Sequence, residues 1–337
     1  MNALTLFAGA GGADLGLRRA GFAHLACVEG DATACATLRA AGFPAVHAWI
    51  GGPGPDGQPA WQWDGAPVDL LWASPPCQPY SRAGKRLGAS DARDGWPATL
   101  ATIAEVRPRW VIVENVRGAP VDQWERELQA LGYTTSAALL DAADWGLPSH
   151  RTRWYLVAGP RGYRWPDPTH YGPQVPWLLR GQRLPWVGFG DALGLVGAVR
   201  ATRESEASKP VAEREEQPIE GPCQCIGATY SGTLGGQPYV LLSLPARAVA
   251  ATEVKGTNYR ATGGPQGPMR ASDSLHLATG RRRLTWQECA TLVGFPADYP
   301  FQGTTEARYR QIGNAVAPVM AEVLGRNLFC VNCGGAG

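Results

Sequence analysis

The sequence predicts an α/β fold in which a doubly wound, mostly parallel sheet is joined to a second, smaller and irregular domain. Three observations lead to this prediction. Short apolar runs alternate with helix-like stretches through the first half of the chain, and a glycine-rich turn follows the first of these runs. Beyond residue 160 the periodicity fades into segments rich in Pro, Gly, Trp and Arg. Strands that alternate with helices are typical of a parallel sheet with helices on both faces.

The individual elements follow from the spacing of apolar residues. The predicted strands are 4–7, 25–28, 68–72, 111–113 and 154–158, and the predicted helices are 13–20, 33–40, 96–105, 124–131, 285–293 and 316–328. Three parts are expected from this pattern: a sheet domain at 1–159, a small domain at 160–305, and a C-terminal helical segment at 306–337 that returns to the sheet domain.

Composition narrows the class of protein. The net charge of +2 is too small to indicate a nucleic-acid binder by itself. The eight cysteines are scattered through a chain too long to need a disulfide scaffold, so free thiols are expected. No apolar run approaches the roughly 20 residues that span a bilayer, and no signal peptide precedes the first strand. We therefore expect a cytoplasmic protein that contacts no membrane, and a monomer.

The glycine-rich turn indicates a nucleotide-like ligand. Residues 7–12 (FAGAGG) follow a strand and open a helix, where such ligands approach the backbone of open α/β sheets. Glu29 lies just past the second strand, where an acid can accept hydrogen bonds from ribose hydroxyls. Asp14 stands where a dinucleotide fingerprint has its third glycine, and Asp14 and Glu29 fit a sulfonium cation better than a phosphate. The alternative interpretation is that the glycines only allow close packing and that Glu29 is an ordinary surface acid.

A second motif puts a cysteine at the functional edge of the sheet. The strand at 68–72 runs into residues 73–78 (ASPPCQ). Prolines restrict both themselves and the residue before them, so Cys77 is expected at a fixed point beyond the carboxyl end of the strand. Open α/β sheets bind their ligands at this edge. The glycines in 82–95 predict a mobile loop that can close over a substrate.

Charged residues mark two further strands. Glu114 directly follows the strand at 111–113, where a salt bridge and a catalytic role are equally consistent with the residue alone. Arg151 and Arg153 precede the strand at 154–158. Alternate residues of an extended segment share a face, so the two guanidinium groups are expected to point the same way.

The order of these motifs resembles that of the DNA cytosine-5 methyltransferases of bacterial or phage type, and nearly the whole chain follows the family's pattern. Residues 283–288 (RLTWQE) with 294–296 (GFP) resemble the motif that braces the second domain, and 310–316 (RQIGNAV) resemble the last motif. The resemblance implies the Rossmann-like fold of S-adenosylmethionine-dependent methyltransferases, with 160–305 as the target-recognition domain.

The resemblance also implies the site residues. The catalytic residues would be Cys77, Glu114, Arg151 and Arg153. The residues that bind S-adenosyl-L-methionine would be Phe7, Ala8, Gly9, Gly11, Gly12, Glu29, Pro75, Asn314 and Val316. In the implied reaction, the Cys77 thiolate attacks carbon 6 of a flipped cytosine, so that carbon 5 can take the methyl group. Cationic arginine favours the thiolate, and a protonated Glu114 could donate to ring nitrogen 3.

The expected partner is duplex DNA, with a cognate restriction endonuclease as a functional partner. Two positions depart from the family's pattern. Ser149 replaces a usual Gln, and Trp49-Ile50 occupies the place of an acidic residue near the adenine, for which Asp56 and Asp69 are candidate substitutes. No metal is predicted, because Cys223 and Cys225, like Cys330 and Cys333, lack the spacing of a familiar zinc finger.

Other functions stay open at this point. An RNA (tRNA) cytosine-5 methyltransferase of the same family would share the chemistry, and a non-catalytic DNA-binding protein would share the fold. A cysteine hydrolase would pair Cys77 with His150. The chain starts at its first strand and ends just after its last motif, so we expect no large regulatory modules and a bacterial or phage modification enzyme.

Overall fold

The structure is a computed structural model. It describes residues 1–55, 57–77, 79–80, 94–194, 198–202, 216–218, 221–223, 239–242 and 281–333. Asp56, most of the predicted loop at 82–95 and much of the predicted recognition segment lie outside the described residues. None of the helices in the described ranges is long and apolar enough to cross a membrane.

A seven-stranded sheet forms the centre of the fold. Its strands are β1 (Asn2–Leu6), β2 (Ala23–Glu29), β3 (Ala45–His47), β4 (Leu70–Ala73), β5 (Trp110–Asn115), β6 (Thr134–Asp141) and β7 (Thr152–Gly159). Across the sheet they follow the order β3-β2-β1-β4-β5-β7-β6. Within this sheet β7 runs in the opposite direction to the other six strands. The predicted doubly wound, mostly parallel sheet is confirmed.

The helices and the smaller sheets complete the described structure. The helices are α1 (Gly12–Ala20), α2 (Ala32–Ala40), α3 (Trp96–Val106), α4 (Val121–Ala130), α5 (Phe189–Ala192), α6 (Trp286–Val293), α7 (Thr305–Asn314) and α8 (Pro318–Cys333), with 3₁₀ turns at Ala142–Trp145 and Trp177–Leu179. A parallel pair joins β8 (His170–Tyr171) and β9 (Leu184–Pro185). An antiparallel sheet contains β10 (Ala198–Thr202), β11 (Glu216–Pro218), β12 (Tyr239–Leu242) and β13 (Arg281–Arg283).

Helices cover both faces of the central sheet, which is why its middle strands read as continuous apolar runs. On one face, α1 and α8 pack over β4 and β5 through residues such as Leu17, Trp72 and Leu324. On the other, α3 and α4 pack through Ile103 and Leu128. The carboxyl ends of β1, β2, β4 and β5 therefore meet at one edge of a rigid layer.

A glycine sets the distance between α1 and α8. A Cβ built on Gly16 would collide with the backbone oxygen of Pro318, so only glycine allows this approach. The segment between α6 and α7 also packs on the sheet region, because Phe295 and Tyr299 share a core with Ala8 and Leu15. The boundaries of the predicted domains at 160 and 305 stay predictions.

Candidate active site

The glycine turn after β1 has a strained backbone. Phe7 has a φ of 55° and Gly9 a φ of 56°, in the left-handed region that non-glycine residues rarely adopt. The turn is held by hydrogen bonds from Ala8 N to Val28 O (3.1 Å) and from Gly9 N to Glu29 Oε2 (2.7 Å). Strain of this kind persists where the surroundings enforce it and is concentrated at functional sites.

Glu29 ends β2 and borders the turn. Its second oxygen, Oε1, accepts from Asp31 N at 2.8 Å. Burial raises the pKa of Glu29, and the backbone N–H donors of Asp31 and Gly9 oppose that rise. The carboxylate is therefore fixed in orientation by two backbone donors while it still lines a cavity.

One cavity brings together most of the predicted site residues. All four predicted catalytic residues line it, together with Phe7, Ala8, Gly9, Glu29, Pro75, Asn314 and Val316. Gly11 and Gly12 do not line it. A Cβ on Gly12 would collide with the carbonyl oxygen of Val316, so this glycine permits packing against the segment that follows α7. Further lining residues, which were not predicted to be site residues, include Thr5, Asp31, Ser74, Arg310 and Gln311.

Cys77 lies on the loop beyond β4, at the predicted edge. The side-chain amide of Asn115 donates to Pro75 O at 2.9 Å, and Tyr80 N donates to Cys77 O at 3.0 Å. Asn115 thus holds the proline turn from the neighbouring strand, a positioning role that the sequence did not reveal. Burial and the Glu114 charge raise the pKa of the Cys77 thiol, whereas Arg153 and Arg151 lower it.

Glu114 and Arg153 form an ion pair in the same cavity. Arg153 Nε lies 3.2 Å from Glu114 Oε1, and both side chains are largely buried. Burial raises the pKa of Glu114, while Arg153, Arg151 and a hydrogen bond with the Ser74 side chain oppose that rise. Burial therefore favours the protonated form of this carboxyl group, and the neighbouring arginines favour the ionised form.

Arg151 joins β7 to the end of α7. It is 2% exposed, and its Nη2 donates to Gly313 O at 3.0 Å and to Ala315 O at 2.5 Å. Its backbone N donates to Asp141 Oδ1 at 2.9 Å. Arg151 therefore shapes the cavity wall, in addition to placing a positive charge near Cys77.

Replacing Arg151 by Ala is expected to lower the free energy of unfolding by at least about 2 kcal/mol, because two buried carbonyl groups lose their donor. Urea unfolding followed by circular dichroism would measure this change. Arg326→Ala is the matched control, because Arg326 is an exposed arginine whose contacts, an ion pair with Glu322 on α8 and a long hydrogen bond to Arg19 O (3.5 Å), lie at the surface. Equal stabilities of the two variants would contradict the bracing role.

His150 does not form a catalytic pair with Cys77. Its Nδ1 lies 2.8 Å from Asp141 Oδ2, and its ring packs edge-on against Trp186 with centroids 4.9 Å apart. His150 is not among the residues that line the cavity. The geometry therefore gives the cysteine hydrolase alternative no support.

The structure shows which atoms surround Ser149 and Asp69, two residues named above for the departures from the family's pattern. Ser149 is buried, and its hydroxyl donates to Leu292 O at 2.7 Å, which ties the loop before β7 to α6. Asp69 is wrong as a substitute for the missing acid. Its carboxylate accepts from Asn2 N at 2.7 Å, at the amino end of the parallel strands and so at the opposite edge of the sheet. Asp56 lies outside the described residues.

A second cavity adjoins the first and shares Phe7, Glu29 and Pro76 with it. Its remaining walls are mostly apolar and include Trp49, Ile50, Pro97 and Ala98. The Trp49 ring rests on the backbone of Gly30, since a Cβ there would lie 2.6 Å from the ring.

Asp14 lines neither cavity, so the expectation that it faces a sulfonium cation is wrong.

Known proteins share both the sequence pattern and the fold. The family model for C-5 cytosine-specific DNA methylase matches residues 1–330. The type II methyltransferase M.NgoMIV of Neisseria gonorrhoeae is 31% identical over 346 residues, which cover 97% of this chain and 96% of the relative. The type II methyltransferase M.NaeI of Lentzea aerocolonigenes is 31% identical, over 97% of this chain and 74% of the relative.

Among solved structures, a DNMT2 mutant from Spodoptera frugiperda superposes with a TM-score of 0.65 over 97% of this chain and 99% of that chain, at 19% sequence identity. This likeness concerns the fold alone. The match along almost the full length to the family model, with the two type II relatives, leads to one conclusion. The chain belongs to the C-5 cytosine-specific DNA methylase family and is a DNA cytosine-5 methyltransferase.

Proposed function

We propose that this enzyme transfers a methyl group from S-adenosyl-L-methionine to carbon 5 of a cytosine flipped out of a specific duplex DNA sequence, through a covalent adduct on Cys77. The main observation in support of this proposal is that Cys77, Glu114 and Arg153 line the same cavity as the strained glycine turn. These residues place a nucleophile, an acid and a cation beside a turn that is suited to bind the cofactor.

The two adjoining cavities fit S-adenosyl-L-methionine. Glu29, fixed by two backbone donors, is suited to bind ribose hydroxyls where the cavities meet. The apolar cavity of Trp49 and Ile50 is suited to the adenine, and the cavity of Cys77 to the reactive end. Gly9 N already donates to Glu29, which leaves the turn a poor phosphate site. When bound, the cofactor supplies an electrophilic methyl group on a sulfonium.

The residues of the chain activate the base. Carbon 5 of cytosine is a weak nucleophile until a thiolate adds at carbon 6. In the proposed sequence, Cys77 forms this carbon–sulfur bond, and Glu114 gives a proton to ring nitrogen 3 as electron density moves there. Carbon 5 would then bond the methyl group as the bond from that group to the sulfonium sulfur breaks. A solvent base would remove the carbon 5 proton, the bond to Cys77 would break to release the thiolate, and the proton on ring nitrogen 3 would return to Glu114. The positive charge of Arg153 stabilises both the Cys77 thiolate and the Glu114 carboxylate.

Cys77 and Glu114 share one proton in both of their relevant forms. One form is a neutral thiol beside an ionised carboxylate, and the productive form is a thiolate beside a carboxylic acid, so each form holds one proton. Burial raises the pKa of both groups, and the Glu114 charge raises the pKa of Cys77 further. The apparent pKa values of such a pair belong to the pair rather than to either residue.

We also propose that Trp49 takes over the adenine contact. Trp49→Ala is expected to raise the Kd for S-adenosyl-L-methionine about tenfold, since stacking an aromatic ring on a base contributes about 1–3 kcal/mol. Trp49→Phe keeps a ring at the same place and is expected to stay within about threefold of the wild type. Calorimetric titration gives both values. An unchanged Kd for Trp49→Ala would contradict the contact.

The proposed substrate is duplex DNA, and 160–305 is the proposed target-recognition region. The named type II relatives support a modification enzyme that works beside a restriction endonuclease. An RNA (tRNA) cytosine-5 methyltransferase would share the fold and the chemistry, and the substrate distinguishes the two functions. The monomeric state and the cytoplasmic location stay predictions.

A side-by-side assay with tritiated cofactor on duplex DNA and on tRNA tests the substrate. Bisulfite sequencing of DNA from cells that express the enzyme would then give the target sequence. We expect label in DNA and protected cytosines at one sequence context. Label in tRNA alone would overturn the DNA assignment.

A further inference from the structure

Three chemically reactive side chains meet in the interior outside both cavities. Asp14 comes from α1, and His24 and Cys27 come from β2. The Asp14 and His24 side chains are 0% and 5% exposed, and Cys27 is fully buried. The proposed chemistry uses none of them, so the cluster requires a separate explanation.

The spacing of the three groups suits a metal ion. Cys27 Sγ lies 3.0 Å from Asp14 Oδ1, and His24 Nε2 lies 3.4 Å from the same oxygen. One ligand atom from each residue falls within 4.8 Å of the others. In a tetrahedral zinc site with ligand bonds of about 2.0–2.3 Å, the ligand atoms lie about 3.3–3.8 Å apart. Small side-chain adjustments would bring this set to that geometry.

Two polar atoms in the cluster lack hydrogen-bond partners among the described residues. These atoms are Asp14 Oδ2 and His24 Nε2, whose 3.4 Å approach to Oδ1 is not a hydrogen bond. Burying a carboxylate without compensation is costly. The nearby cation does not remove this cost by a direct contact: Arg18 donates to Ala41 O and stacks over the Phe43 ring.

We propose that Asp14, His24 and Cys27 bind a zinc ion, with a water molecule as the fourth ligand, and that this ion fastens α1 to β2 behind the glycine turn. The thiolate, imidazole and carboxylate set suits zinc, whereas Mg²⁺ and Ca²⁺ prefer oxygen ligands alone. Binding displaces the Cys27 thiol proton to solvent. The edge-on contact of His24 with Phe43, at 5.1 Å between ring centroids, holds the imidazole.

Metal content and cobalt substitution test the proposal with readouts other than activity. The full chain, purified after growth with added zinc, is expected to hold about one zinc ion per molecule by mass spectrometry. Chelation followed by Co²⁺ should give the intense visible bands of a tetrahedral site and a thiolate-to-cobalt absorption in the near ultraviolet. Cys27→Ser and His24→Gln are expected to lose at least about nine-tenths of the zinc.

Cys289→Ser is the matched control, because Cys289 is an equally buried thiol on α6 outside the cluster. It is expected to keep the full zinc content. Zinc retained in Cys27→Ser, or a wild-type protein that takes up neither zinc nor cobalt, would overturn the site. If Cys27→Ser fails to fold, the cobalt spectrum of the wild type decides the question alone, since a spectrum without thiolate ligation also overturns it.

Discussion

Replacing Cys77 by Ala is expected to abolish methyl transfer, with a fall in kcat of at least about 10⁴-fold, as for removal of a nucleophile in other covalent enzymes. The reason is chemical. Without the carbon–sulfur bond at carbon 6, carbon 5 has too little electron density to take the methyl group. The side chain is small and lies on a loop held by Asn115 and Tyr80 through other atoms, so the fold is expected to persist.

Trapping on duplex DNA with 5-fluorocytosine at the target position measures the same step directly. Fluorine at carbon 5 prevents the loss of a proton, so the wild type is expected to remain covalently attached to the DNA. Cys77→Ala should bind the duplex without forming an adduct. Cys223→Ser is the control, because it removes a buried thiol that does not line the cavity. An adduct formed by Cys77→Ala would refute the assignment of the nucleophile.

Glu114→Gln is expected to lower kcat by about 10²–10⁴-fold, the usual contribution of a general acid or base. The amide keeps the shape and a hydrogen-bond acceptor for Arg153 but cannot give up a proton to ring nitrogen 3. Single-turnover methylation measures the chemical step. Glu105→Gln, an exposed position on α3, is the control and should leave the rate unchanged.

The pH dependence distinguishes proton donation by Glu114 from a structural role. In the wild type, activity should fall on the alkaline side as the Cys77 and Glu114 pair loses its shared proton, and on the acid side as it binds a second one. Glu114→Gln removes the alkaline limb. Only Cys77 then titrates, so the acid limb reports the pKa of the Cys77 thiol, which burial raises, and should lie at higher pH than the limb at which the wild-type pair binds its second proton. An unchanged alkaline limb in the variant would show that Glu114 is not the acid.

Local patterns predicted most of the core elements, and two of the elements that they missed have clear physical reasons. β6 was not predicted, because seven of its eight residues are half-buried rather than alternating between the two faces of the sheet. α7 was not predicted, because its stretch is polar and its buried side chains include Tyr309 and Gln311. Contacts in the tertiary structure, rather than periodicity, stabilise both elements.

Within the site, the sequence correctly indicated which strand ends bear reactive groups, but not how those groups are arranged. Arg151 and Arg153 share a segment, yet one braces α7 and the other pairs with Glu114. Asn115 and Ser149 act through hydrogen bonds to backbone atoms 40 and 143 residues away along the chain. Such partners have no local pattern, because they are chosen by packing between distant segments.

The sequence alone therefore determined the fold class, the family, and the placement of Cys77 and Glu114 at strand ends. Apolar periodicity and proline restriction act locally, so they can be read directly from the chain. Only the tertiary structure decided that Gly12 serves packing, that Asp14 faces His24 and Cys27 rather than the cavity, and that Trp49 borders the second cavity. These outcomes depend on which residues from distant parts of the chain pack against one another.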